Sequence, residues 1–309
     1  MRLAASLLIA VSLLPFGCGG GSLSGEEQVS FVTVDTDPDW SPDGRLIAFA
    51  SSRNTGGIYV IHADGTGLRR VFRGPASNVD WSPDGRRIAF QDRGIYVLDL
   101  DGGRPKRVLR GNGFSLPAWS PNGRELAVVR DEPDLSTAIY VVRTNGTKLR
   151  RLLRPPLRRS NPQWTSLAAS ATEPAWSPDG RRLAVQAGDG DIVVVRLADG
   201  RRHEIATGYE PAWSPNGSRI AFSRDDAVWI VASDGSDEPR RVAGEGGDPS
   251  WAPQSDRLVF EVLHHRGRYL RKAESLSLVD ATGHDLRKLT FGGSSQDDPG
   301  WRQDLPPVP

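Results

Sequence analysis

The sequence predicts an all-β propeller. Three observations carry that expectation: a tryptophan-led motif returns at a nearly constant interval, each copy is followed by the same succession of short strand-forming runs and turns, and no amphipathic helix of useful length follows residue 20. The motif reads Trp40-Ser-Pro-Asp-Gly, Trp81-Ser-Pro-Asp-Gly, Trp119-Ser-Pro-Asn-Gly, Trp176-Ser-Pro-Asp-Gly and Trp213-Ser-Pro-Asn-Gly, with a degraded sixth copy at Trp251-Ala-Pro-Gln-Ser. The spacings are 41, 38, 57, 37 and 38 residues, so the period is 38–41 with long insertions in the third and sixth units. A last approach, DDPGW, reaches Trp301 near the end of the chain.

Each piece of the unit has a physical role. Ser-Pro-Asp-Gly suits a type I turn, with proline fixing φ at the second position and glycine closing. A run such as Ile47-Ala48-Phe49 or Ile88-Ala89-Phe90 follows, alternating large and small residues with the period of a strand. Ile58-Tyr59-Val60 and its equivalents form the next strand, and Asp-Gly or Asn-Gly pairs such as Asp64-Gly65 and Asn145-Gly146 make the tight turn after it. A basic strand such as Leu68-Arg69-Arg70-Val71 closes the unit. Four antiparallel strands cannot bury both faces of their sheet alone, whereas units stacked around an axis can. Six complete units lie between Trp40 and Thr290, which gives six blades with the termini meeting at the closure; a seven-bladed ring closed by Phe31–Val34 and Trp301 is the alternative.

These residues also carry a family resemblance. The pattern PxWSPDGxxIAF, then IYV, then DGxxRRL, resembles the TolB-like β-propeller repeat of exported bacterial proteins over about residues 31–301. The resemblance implies a propeller fold. It leaves function open, because such propellers occur in periplasmic scaffolds, in gating domains of peptidases and in some polysaccharide lyases. Residues 1–30 leave no room for the separate α/β domain that precedes the propeller in TolB itself, so a role in that particular system is not implied.

The expected organisation is a signal peptide (1–17), a flexible tether (18–30), the propeller (31–301) and a short tail (302–309). Arg2 followed by the apolar run 3–16 reads as a signal peptide. The segment Leu13-Leu14-Pro15-Phe16-Gly17-Cys18, which ends on the sole cysteine, resembles a bacterial lipoprotein cleavage site, and the resemblance implies a protein lipidated on Cys18, expected outside the cytoplasm, membrane-anchored and facing the periplasm or cell exterior. The formal net charge is +1, which gives no general pull toward nucleic acid or anionic membrane, so membrane contact is expected only through the lipid on Cys18. The chain is expected to be monomeric.

Alternation of strand direction divides the turns between two faces of the disc. The Ser-Pro-Asp-Gly and Asp-Gly turns share one, here the turn face. The loops between second and third strands, and those between units, share the other, here the loop face. Both insertions fall on the loop face, where function on a rigid scaffold usually sits. Their basic and aromatic residues are the expected binding residues: Arg158, Arg159 and Trp164 in one, His264, His265, Arg266, Arg268 and Tyr269 in the other. Arg53, Arg93, Arg130 and Arg224 recur after the second strand as candidates for the channel mouth, with paired surface charge as the plainer account. No nucleophile elbow or phosphate loop is present, and the five histidines show no metal spacing. No cofactor, metal site or catalytic residue is therefore expected. The acidic run Asp35-Thr36-Asp37-Pro38-Asp39 lacks the glycine and terminal glutamate of a calcium loop and reads as the approach to Trp40. The function expected is a protein-binding scaffold for an envelope protein or peptide. The alternatives are an enzyme on acidic oligosaccharides with a metal in the channel, and a small-ligand or peptide sensor.

Overall fold

The computed structural model describes residues 33–133, 136–153, 171–188, 190–265 and 271–290. They form six four-stranded antiparallel sheets, each with its strands in sequence order: blade 1 (35–73), blade 2 (77–110), blade 3 (114–153), blade 4 (171–207), blade 5 (209–244) and blade 6 (246–288). The first strands contact one another in succession around the axis, and that of blade 1 meets that of blade 6. The ring is a six-bladed propeller, as the repeat count predicts.

The Ser-Pro-Asp-Gly segment forms the expected turn. Gly44 N–H donates to the Ser41 carbonyl (2.9 Å), Ser41 Oγ bonds Asp43 Oδ1 (2.7 Å), and Leu46 N–H donates back to Ser41 Oγ (2.9 Å). Gly44 is left-handed at φ 71°, and in the degraded sixth copy Ser255 takes up the same conformation at φ 61°. The backbone N–H of Ala63 donates to the carbonyl of Arg45, and its equivalents do the same in the other blades, which ties both families of turn to one face.

The core lies between blades rather than within them. Trp81, Ile88 and Phe90 of blade 2 pack on Ala48, Ile58 and Val60 of blade 1. The ring closes the same way: Trp40, Ile47, Phe49 and Tyr59 of blade 1 pack against Val259, Leu276, Leu278 and Leu289 of blade 6. Both closing blades are continuous stretches of chain, so among the described residues closure comes from packing without an exchanged strand. Ser52 N–H donates to the Val34 carbonyl (3.0 Å) and Val34 N–H donates to Ser52 Oγ (2.9 Å), so Val34 prolongs the first strand of blade 1 instead of adding a fourth strand elsewhere.

The outer strands answer the third strands in register. Arg70 lies opposite Tyr59, Arg107 opposite Tyr96, Arg151 opposite Tyr140 and Arg241 opposite Trp229. In blade 1 the basic residue covers the ring, with the Arg70 guanidinium 6.0 Å from the Tyr59 ring centre. Blade 6 departs from its siblings by length. Its middle strands run Arg257–His265 and Arg271–Asp280, so the second insertion prolongs a hairpin where the sequence suggested a loop.

Candidate functional site: an acidic central channel

Each inner strand is broken at the same place. Three residues before the tryptophan the pairing register shifts, and the residue there is left-handed: Asp37 (φ 53°), Asn78 (51°), Leu116 (50°), Glu173 (53°), Glu210 (54°) and Asp248 (48°). This is a β-bulge, and it costs something at every copy, because none of the six is glycine. The bulge positions help to line a central cavity of about 310 Å³. Six carboxylates border that cavity, from Asp37, Asp39, Asp80, Glu173, Glu210 and Asp248, and among the described residues no lining residue is basic.

The carboxylates also join one blade to the next. Glu173 Oε2 accepts the Glu210 N–H, Glu210 Oε2 accepts the Asp248 N–H, and Glu261 Oε1 accepts the Asp37 N–H, each at 2.6 Å. Asp37 Oδ1 then accepts from the Asn78 side-chain amide at 3.1 Å. A second tier sits one residue before the tryptophan, where Asp39 accepts the Trp81 N–H (2.7 Å) and Asp80 the Trp119 N–H (2.6 Å). Leu116 and Ala118 interrupt both tiers in blade 3.

So many acids in a narrow space hold their protons tightly. Burial pushes the Glu173 carboxyl up to about 8, helped by the charge of Glu210. Burial raises Asp39 to about 6 against the bonds it accepts from Trp81 and Ser250. Asp248 is lifted well above the usual range by burial and then by Glu261 and Glu210, and Glu261 by burial and then by Asp37. Carboxyl oxygens of Asp37, Asp248 and Glu261 come within 4.8 Å of one another, a donor set of the kind that hard divalent cations take. The channel can thus be stabilised by retained protons or by a positive charge brought in from outside.

Three of the four arginines expected at the channel mouth are held by their own blades. Arg53 pairs with the fully buried Asp35 at 2.5 Å, though burial still outweighs that charge and raises the Asp35 carboxyl. Arg130 lies between the rings of Phe114 (5.4 Å) and Tyr140 (5.2 Å), and Arg224 sits 3.7 Å from the centre of the Trp229 ring. Tyr59 Oη and Trp229 Nε1 donate to the carbonyls of Arg53 and Arg224, so the third-strand aromatic pins the loop from which the arginine springs. Arg93 is left-handed in the tight turn of blade 2. The backbones of His264 and His265 pair with Lys272 and Arg271 in the long hairpin. Cys18, Arg158, Arg159, Trp164, Arg266, Arg268, Tyr269 and Trp301 lie outside the described residues.

The acidic ring was missed in the sequence, although a signal existed. Aligned on tryptophan, the third residue before it reads Asp, Asn, Leu, Glu, Glu, Asp. A position that faced only neighbouring blades would not repeat carboxylates in four units of six.

The TolB beta propeller domain family matches residues 80–305. The chain belongs to that family. A protein described as TolB from Agrobacterium tumefaciens superposes with a TM-score of 0.57 at 24% identity, over 74% of this chain and 86% of that one. TolB from Acinetobacter baumannii gives 0.58 at 20% identity, over 71% of this chain and 57% of that one. Likeness at that level shows the shared fold. The uncharacterized peptidase YuxL of Bacillus subtilis strain 168 is 30% identical over 79 residues, a quarter of this chain and a tenth of the peptidase.

Proposed function

We propose that this TolB-family propeller is an exported, lipid-tethered scaffold that binds an envelope protein by taking a positively charged group of the partner into its central channel. The observation that carries the reading is the set of six carboxylates lining a cavity with no basic residue among those described. Desolvated carboxylates without counter-charges favour whatever cation can replace their lost hydration. A cavity of 310 Å³ has room for an arginine or lysine side chain with part of its backbone. The basic insertions, with Arg158, Arg159, Arg266 and Arg268, are expected on the loop face, where they would meet acidic residues of the same partner.

The test is a pull-down from envelope extract with the full chain. A channel variant, Glu173→Gln/Glu210→Gln/Asp248→Asn, and an insertion variant, Arg158→Ala/Arg159→Ala/Trp164→Ala, run beside it. One envelope protein retained by the parent and lost with the channel variant supports the reading. Equal retention by all three, or no envelope protein at all, overturns it. Cys18→Ser should release the protein from the membrane fraction, and unchanged fractionation would remove the lipid tether.

A second reading rests on Asp37, Asp248 and Glu261, whose oxygens lie close enough to share one divalent cation. Their chemistry suits calcium, magnesium or manganese. An enzyme acting on acidic sugars would need such an ion to offset the negative charge of its own channel. Calorimetry with calcium and with manganese tests this, and heat that survives Asp248→Asn would rule the triad out.

A further inference from the structure

The turn face carries the opposite charge from the channel. Five of the six outer strands begin, just past the turn, with two consecutive basic residues, from Arg69-Arg70 in blade 1 to Arg287-Lys288 in blade 6. The turn between the first two strands adds more, such as Arg45. Carboxylates on this face bend back onto their own turns: Asp43 accepts from Ser41 and the Arg45 N–H, and Asp64 from Thr66. The basic side chains remain exposed even where they pair with a carboxylate: Arg45 is 83% exposed beside Asp43, Arg201 81% beside Asp199 and Arg150 53% beside Glu125. A formal charge of +1 therefore conceals a strongly basic face.

A second observation says what kind of polyanion suits it. The exposed large hydrophobic residues among those described are Leu149, Tyr209 and Leu286, and both leucines lie on this face, each directly before a basic pair. A left-handed residue precedes each one, Lys148 (φ 58°) and Asp285 (φ 51°). In blade 1 the matching Leu68 follows left-handed Gly67 and packs partly into the core, so the outward position of the other two is not imposed by the turn. Blades 3 and 6 are opposite in the ring, which puts the leucines at opposite edges of one face.

We propose that the turn face docks on an anionic lipid bilayer, with the arginine and lysine pairs over the headgroups and Leu149 and Leu286 entering the interface. Basic pairs on five of the six blades, spread around a circumference, match a planar surface of negative charge better than a single anion. Exposed leucines beside them add the apolar contact that a soluble polyanion would not reward. The lipid expected on Cys18 would then be one of two membrane signals instead of the sole one.

The test is flotation of the full chain carrying Cys18→Ser with vesicles of phosphatidylcholine and phosphatidylglycerol, against phosphatidylcholine alone. The protein should float with the anionic vesicles at low salt and be released at high salt. Lys106→Gln/Arg107→Gln/Arg150→Gln/Arg151→Gln should weaken binding about a hundredfold or more, and Leu149→Ser/Leu286→Ser about tenfold. Arg73→Gln/Arg110→Gln, exposed at the loop-face ends of the same kind of strand, should change little, and circular dichroism checks that each variant folds. No flotation at low salt, an equal loss with the loop-face control, or capture by soluble heparin without vesicle binding would each overturn the proposal.

Discussion

The inner and outer strands of one blade come from the same repeat and carry opposite chemistry. The inner strand places a carboxylate at a strained bulge, faces it into a narrow channel and uses it to hold the next blade by a backbone N–H, as Glu210 holds Asp248. The outer strand places arginine or lysine at the rim, where water is plentiful, and in blade 1 Arg70 also covers the Tyr59 ring. The inner charges are costly and joined to the ring, so they respond to pH and to bound cations. The outer ones cost little to keep and are available to an external surface.

Breaking the hold of the inner strand itself should have the largest effect. Trp81 is buried against Ala48, Ile58 and Val60 of the preceding blade, and Trp81→Ala should lower stability by about 3–5 kcal/mol in urea denaturation. A change within error would show that the tryptophan does not join the blades.

The next effect separates the inner strand by pH. In the folded protein Glu173 keeps its proton up to about 8, whereas its ordinary value is 4.5. Folding therefore favours the protonated form. The stability this group contributes is complete below pH 4.5 and is lost as pH rises through about 8. Glu173→Gln keeps an oxygen to accept the Glu210 N–H and has no proton to lose. It should flatten the fall in stability between pH 5 and 8 and gain about 1–3 kcal/mol over the parent at pH 8. Parallel pH profiles for the two proteins would show that this carboxyl is not desolvated.

The smallest effect belongs to the outer strand. Arg107→Gln at the exposed rim should change stability by about 0.5 kcal/mol or less at any pH from 5 to 8. A loss as large as that of Trp81→Ala would erase the distinction between the two strands.

The fold was legible because its rules are local and repeated. Ser41, Pro42, Asp43 and Gly44 specify their turn unaided, and five near-identical copies specify the ring. The channel was harder to read, because it is assembled from one residue of each blade. Asp37 and Asp248 are distant in sequence, and only ring closure brings their carboxyls beside Glu261. In isolation, Asp35-Thr36-Asp37-Pro38-Asp39 looks like a failed calcium loop; in the ring, its members face three neighbours. Asp35 turns to Arg53, Asp37 to Asn78 and Asp39 to Trp81. The arginines after the second strands were found by recurrence, but aromatic rings of the same blade hold Arg130 and Arg224 and a carboxylate holds only Arg53, and no spacing rule encodes that.

The central claim is that the channel is a receptor for positive charge, and calorimetric titration of the full chain with a tetra-arginine peptide tests it most directly. At low salt and pH 8 the peptide should bind. Its affinity should fall as pH is lowered to 5 and the channel carboxylates take up protons, and Glu173→Gln/Glu210→Gln/Asp248→Asn should abolish it. Binding that is indifferent to pH and to those three substitutions, or no binding at pH 8, would contradict the account.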